Sequence, residues 1–282
     1  MSAHGAGQWR LVRGPAAVSG DPRRFAALTL QLAAMEFKLR FFGSALGYLW
    51  QLVRPLLLFS VLYVVFTEFV RVNEGVDYFP AILLSGIVLY TFFSDATSMA
   101  VTSVVDRENL VRKIEFPRLV VPLSVVCTAL FNMLGNMVAV LVFVLATGVE
   151  PRVEWLLALP LIAVLVLLAV GVASLVSALY PRFRDVQPIW EVVLQVLFYA
   201  APILYAIEIV PDRAFQKLIM LNPIATVLQE FRHVVIDPAA PSAAEVLGEP
   251  ALLLVPAAIV IGTFALGLWV FAREAPRIAE DL

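Results

Sequence analysis

Cysteine is almost absent from the 282-residue chain: Cys127 is the single one, and it lies inside an apolar run. An internal disulfide is excluded, and a buried lone thiol usually serves as packing. The two histidines, His4 and His233, are too few and too scattered for a metal site. Only three lysines occur, Lys38, Lys113 and Lys217, and none follows a glycine-rich phosphate loop. With GxxxxGK[ST] missing, the chain is not expected to bind ATP in the P-loop manner or to act as an enzyme. No Ser/His/Asp set or paired carboxylates support a hydrolase or glycosyltransferase, and no nucleic-acid partner is expected. Charge is scarce as well. Asp, Glu, Lys and Arg make up 15% of the chain, while 61% is hydrophobic. Soluble domains run nearer 45–50% apolar, so an integral membrane protein is expected. The first 24 residues are polar and hold no apolar signal-peptide core, so the first apolar span should stay in the membrane.

What is present is periodic. Residues 1–22 are rich in Gly, Pro and Ser and read as a mobile cytoplasmic tail, ahead of a single membrane domain over 23–282. From Phe25, apolar residues recur at Leu28, Leu32, Met35, Leu39, Phe42 and Leu46, in alternating steps of three and four. Arg24, Gln31 and Lys38 fall on an opposite line, with Arg23, Arg40 and Phe41 around them. This pattern predicts an amphipathic helix over 24–46, bedded on a membrane surface or packed on protein. Six apolar runs follow, at about 49–70, 79–101, 118–146, 156–180, 189–207 and 251–271. Each is long enough to cross a hydrocarbon core of about 30 Å.

Charge orients the spans. With the N-terminus in the cytoplasm, inner segments carry fifteen Lys or Arg and outer segments five, which obeys the positive-inside rule with both termini inside. The last outer connection, from about 206 to 250, is by far the longest. Within it, 218–236 is apolar but broken at Asn222-Pro223. Ile224, Val227, Leu228, Phe231, Val234 and Val235 form one face; Gln229, Glu230, Arg232 and His233 form the other. Each half is too short to span, so a re-entrant or interfacial helix pair is expected there. The stretch from Asp237 to Pro250 reads as a loop.

Between the second and third spans lies a charged island, DRENLVRKIEFPR (106–118), with four basic and three acidic residues in thirteen. It is either an ordinary cytoplasmic loop or a docking segment. Within the spans, Asp95 is the one acid placed deep in an apolar run. An intramembrane carboxylate is costly and is a functional candidate for substrate passage, unless it simply faces water or a helix interface. Asn132 and Asn136 lie one turn apart in the third span and suggest hydrogen bonds between helices. Gly171, Ser174 and Ser177 make a small-residue face suited to close packing. Tyr63, Phe66, Tyr90, Phe92, Phe93, Trp190, Phe198 and Tyr199 are pore candidates, because sugar rings offer C–H faces that stack on aromatics. Lipid-facing or interfacial placement is the alternative for each.

Several segments, in order, resemble the membrane subunit of ABC-2 type polysaccharide exporters, the permeases for O-antigen, teichoic acid and related glycans. They are Leu46-Gly47-x-x-Trp50 with Pro55, Lys113-x-x-Phe116-Pro117, Phe183-Arg184-Asp185-Val186, Pro202-Ile203-x-Tyr205, and Leu221-Asn222-Pro223 with Arg232. Together they cover about 30–236. Ala201 stands where that family commonly has Ser, and the last span carries no family motif. The resemblance implies an all-α protein of six transmembrane helices, acting as a homodimer with two copies of a separate ATPase that holds ATP and Mg. This chain would hold no cofactor or metal. The cargo implied is a lipid-linked glycan crossing the bacterial inner membrane. Residues 24–46, including Phe25, Leu28, Leu32, Lys38 and Arg40, would be the interface helix. Residues 106–117 would contain the coupling helix, with Asn109, Leu110, Arg112, Lys113, Phe116 and Pro117 meeting the ATPase. Residues 212–236 would form outer gate helices, with Tyr205, Asn222, Pro223 and Arg232 at the mouth. Arg184 and Asp185 would sit in an inner loop. Two other readings remain: the same scaffold with a drug, lipid or small hydrophobic cargo, and a membrane scaffold with no transport role.

Overall fold

The computed structural model describes residues 21–41, 47–71, 75–109 and 116–277. The described residues are mostly helical, with no strand among them. The expectations for 1–20, for 42–46 of the interface helix, and for Leu110, Arg112 and Lys113 fall outside them.

Helix α1 (Pro22–Phe41) precedes α2 (Gly47–Val64), whose last stretch, Val65–Val70, widens to a π-helical turn. Helix α3 (Phe79–Asp106) is the buried axis of the bundle, with α4 (Val120–Ala146), α5 (Ala158–Leu179), α2 and α6 (Val186–Ala200) packed around it. The short helices α7 (Arg213–Met220), α8 (Pro223–Phe231) and α9 (Ala243–Leu247) follow, and α10 (Leu254–Glu274) closes the chain against α5.

Five helices are long and apolar enough to cross a membrane: those ending at Val70, Asp106, Ala146, Leu179 and Glu274. The expected fifth span, 189–207, is shorter than its apolar run. Helix α6 stops after 15 residues. Pro202 is the cause: the residue before a proline is pushed out of the α region, and Ala201 is extended at φ −100°, ψ 149°. In the other direction, α3 outruns its apolar stretch by five residues to Asp106. Water tolerates the polar end of a helix, and the Thr102 hydroxyl donates to the Asp106 carboxylate at 2.7 Å.

The α5–α10 seam is closed by glycine. A Cβ on Gly171 would stand 2.6 Å from the Phe264 Cα, and one on Gly267 would overlap the Gly171 carbonyl. With Ser174 and Ser177 fully buried beside it, the small-residue face lets two backbones touch.

Candidate functional site

At one end of the bundle, four long helices converge. Val104 of α3, Leu119 and Val121 at the start of α4, Ala178 of α5, and Phe271 and Ala275 at the end of α10 form a small buried cluster. Phe25 of α1 and Phe116 of the charged island pack on it. Pro117 follows, and Arg118, 3% exposed, donates from Nη1 to the Ala275 carbonyl, while its Nε has no partner among the described residues. Asn109, the last described residue of the island before 110–115, is exposed. Phe116 therefore touches a hub shared by α1, α3, α4, α5 and α10, not the third span alone.

Helix α1 joins the same end by a second route. Its Glu36 pairs with Arg107, and Ser124 Oγ donates to the same Glu36 oxygen at 3.2 Å. Thr128 Oγ1 reaches the Ala33 carbonyl at 3.4 Å. The face laid on α4 runs through Thr29, Ala33, Glu36 and Phe37, with Phe37 edge-on to Phe131 at 6.1 Å. Phe25, Leu28 and Leu32 flank it half-buried; Met35 and Leu39 point away, 57% and 66% exposed. Lys38 is exposed too, and Arg40 lies in the last turn of α1. The sequence pattern marked the apolar line but missed Glu36, because a carboxylate satisfied by Arg107 and Ser124 carries no signature in a single sequence.

Midway along α3, Asp95 lines two adjoining cavities. The larger, about 190 Å³, is walled by Arg54, Pro55 and Leu58 of α2, Tyr90, Thr91 and Ser94 of α3, and Phe198 of α6. The smaller, about 20 Å³, reaches inward past Gln51 to Asn132 and Asn136. The expected bonds between helices from these asparagines are absent among the described residues. Asn136 Nδ2 donates to its own helix, at the Asn132 carbonyl (3.0 Å), and Asn132 Oδ1 is buried without a partner. A polar side chain that turns back on its own backbone needs no neighbour.

The aromatic candidates part company. Phe92 and Phe93 are buried core, at 2% and 1% exposure, with Phe93 against Trp190 at 6.4 Å. Tyr90 is buried too; its hydroxyl donates to the Leu194 carbonyl, and its ring meets Phe198 edge-on at 5.2 Å. Tyr199 is 60% exposed. Tyr63 and Phe66 line a separate cleft of about 190 Å³ with Arg71 and Phe79. In the loop before α6, Arg184 lies over the Tyr180 ring at 4.8 Å, and Asp185 is exposed.

At the opposite end, the long connection folds onto the main core, with Met220, Ile224, Phe231 and Leu247 buried in it. Asn222 caps α8 by accepting from the Ile224 N–H at 3.0 Å, and Pro223 takes the first helical position, where its missing N–H costs nothing. The apolar face of α8 is buried as the pattern predicts, but so is much of the polar face. Arg232, 5% exposed, donates to Glu208 at 2.8 Å and to Asp237 at 3.4 Å. Gln229 donates to the Pro241 carbonyl at 2.6 Å, and Glu230 accepts the Ala243 N–H at 2.7 Å. Tyr205, Gln229 and Arg232 line a small cavity against Ser85 and Leu89 of α3. The stretch 237–250, expected to be a loop, contains α9, started by a capping box between Ser242 and Glu245. Ser242-x-x-Glu245 was a readable signal. The bonds from Ser242 hold the Glu245 carboxyl below the usual carboxylate range.

The described residues thus form a multi-helix apolar bundle in which the ends of four long helices meet beside Phe116 of the charged segment, while the long connection packs at the opposite end. The ABC-2 type transporter family model matches residues 27–236, and the chain belongs to that family. An O-antigen export system permease protein RfbA of Klebsiella pneumoniae is 30% identical over 206 residues, covering 73% of this chain and 78% of the relative. A protein of the same description from Myxococcus xanthus is 29% identical over 262 residues, 92% of this chain and 96% of its own length.

Proposed function

We propose that this chain is the membrane subunit of an exporter that moves a lipid-linked polysaccharide across the bacterial inner membrane. Two copies would form the pathway, and two copies of a separate ATPase would dock on the cytoplasmic face and supply ATP and Mg. The observation that carries the cargo is the alignment of the Myxococcus O-antigen export permease along 92% of this chain. The charge bias supports cytoplasmic termini. For six spans, α6 with the extended turn at 201–206 would make the fifth crossing; irregular backbone at membrane depth is tolerated where protein covers it, and Ala201, Ile203 and Ala206 are buried.

In this mechanism the ATPase pushes on the island around Asn109, Leu110, Arg112 and Lys113. Phe116 and Pro117 pass the push to the hub, and Glu36–Arg107 carries it to the interface helix. The outer helices, pinned by Arg232 and capped at Asn222, act as a gate. Deleting the chain should abolish surface polysaccharide, and expressing it again should restore it. Unchanged surface polysaccharide on deletion refutes the reading. Charge reversal at Arg112 and Lys113 should uncouple ATP hydrolysis while the protein still folds; a mere scaffold would not respond.

A further inference from the structure

We infer that the last span, α10, carries the island's motion to the outer helices, and that Arg118 is the positioning residue that ties α10 to the island. This rests on the reading of the chain as a permease driven by a separate ATPase. The tie is short. Arg118 directly follows Phe116 and Pro117, and its carbonyl accepts the Val121 N–H at 3.1 Å, so its backbone already belongs to the start of α4. Its side chain crosses to α10 and donates to the carbonyl of Ala275, the residue that ends that helix. The last carbonyls of a helix have no partner within it and form the negative end of its dipole, so a guanidinium suits them. The cation in the last turn of α10 itself is turned to another group: Arg273 lies over the Trp269 ring at 5.6 Å.

Folding alone does not account for Arg118. The side chain is buried, its one hydrogen bond among the described residues goes to a neutral carbonyl, and its Nε is left without a partner there. No carboxylate pairs with it among the described residues. A buried charge without a counter-charge is costly, and an apolar side chain of similar length would favour folding more. What a methionine would not do is hold the end of α10 to the island. Beyond that bond the route is stiff. Helix α10 meets α5 backbone against backbone at Gly171 and Gly267, so the two move as one body. It runs for 21 residues, about 30 Å at 1.5 Å per residue, and its proline, Pro256, sits in the first turn. It packs on α8, and its outer end is joined to α9 through a single 3-10 turn, Pro250–Leu253. A displacement of the island therefore reaches α8 and α9 without a flexible joint.

The test uses the full chain purified with its ATPase in lipid nanodiscs, in a Cys127→Ala background. Leu221→Cys, half-buried at the corner between α7 and α8, reports on the outer side, and Val153→Cys, 80% exposed, is the control. Labelling by a water-soluble methanethiosulfonate is timed without nucleotide and after vanadate trapping, at equal trapped nucleotide per complex. With Arg118 in place, trapping should change the Leu221→Cys rate severalfold and leave the Val153→Cys rate alone. In Arg118→Met that change should be lost, while the chain melts at or above the wild-type temperature. Arg118→Lys, which still brings a donor toward the carbonyl, should recover part of the change. If Arg118→Met does not assemble, Arg118→Gln, neutral and too short for the carbonyl, takes its place; failure of both to assemble assigns Arg118 to folding and overturns the inference. A full response in Arg118→Met or Arg118→Gln overturns it too, as does a reporter that never responds with Arg118 in place, since no motion then reaches the outer helices. Deletion of the chain separates the two claims. If deletion abolishes surface polysaccharide while Arg118→Met responds fully, only the role of Arg118 and α10 falls; if deletion leaves it unchanged, the permease reading falls with it.

Discussion

A methyl group added at Gly267 should be among the most damaging small changes in this protein. The α5–α10 seam brings backbone against backbone. On Gly171 a Cβ would stand 2.6 Å from Phe264 Cα, and on Gly267 it would overlap the Gly171 carbonyl. Ordinary van der Waals contact for a Cβ begins near 3.4 Å, so either alanine must push the helices apart by most of an ångström or more. No flexible side chain can give way. Overpacking a well-packed interior costs about 1–3 kcal/mol, and a rigid backbone obstacle places Gly267→Ala at the upper end or beyond. The same helix supplies the control. Gly262 has nothing within 4 Å of its would-be Cβ. Gly262→Ala should therefore keep stability or gain up to about 1 kcal/mol from helix propensity. The assay is thermal unfolding of the purified chain in detergent, wild type against the three single alanines. Equal stability of Gly267→Ala and Gly262→Ala would refute the seam. Because α10 ends in Phe271 and Ala275, loosening it should also blunt coupling.

The Glu36–Arg107 pair, at 15% and 22% side-chain exposure, sits between surface and buried regimes. A double-mutant cycle with Glu36→Gln and Arg107→Gln should return a coupling energy of about 1–2 kcal/mol in unfolding, and a value near zero would remove this link between α1 and α3. Arg232→Met should cost about 2–4 kcal/mol, since it leaves Asp237 buried without the guanidinium; the readout is proteolysis of the 208–247 segment under native conditions, with Arg232→Lys restoring only part because it lacks the fork.

Much of this architecture was written in hydropathy and charge. The long apolar runs mark the crossings because nothing else explains some 20 apolar residues in a row. Asn222-Pro223 marked the break between two short helices, and the structure shows that the same two residues start the second one, through a side-chain cap and a proline at the first helical position. Gly171, Ser174 and Ser177 announced a close approach. What stayed hidden depends on partners distant in sequence. Glu36 looks like any surface carboxylate until Arg107 and Ser124 reach it. Gly267 says nothing until Gly171 faces it. The face of α1 that packs on α4 is small and polar, so the apolar line drew attention away from it. At α6, hydropathy counted Pro202 to Ile207 as span because those residues are apolar, whereas backbone sterics end the helix before them. Asn132 was misjudged because asparagine can bond across helices, along its own helix, or to water, and the sequence does not choose.

The central claim is that motion imposed on the charged island enters the membrane bundle through Phe116. The direct measurement is ATP-driven polysaccharide export by the complex reconstituted in liposomes, comparing wild type with Phe116→Ala. The ring packs on a small satellite cluster and not on the main core, so unfolding should shift little and the ATPase should still bind. The account predicts that export collapses while ATP hydrolysis continues uncoupled. Export at the wild-type rate in Phe116→Ala would contradict it.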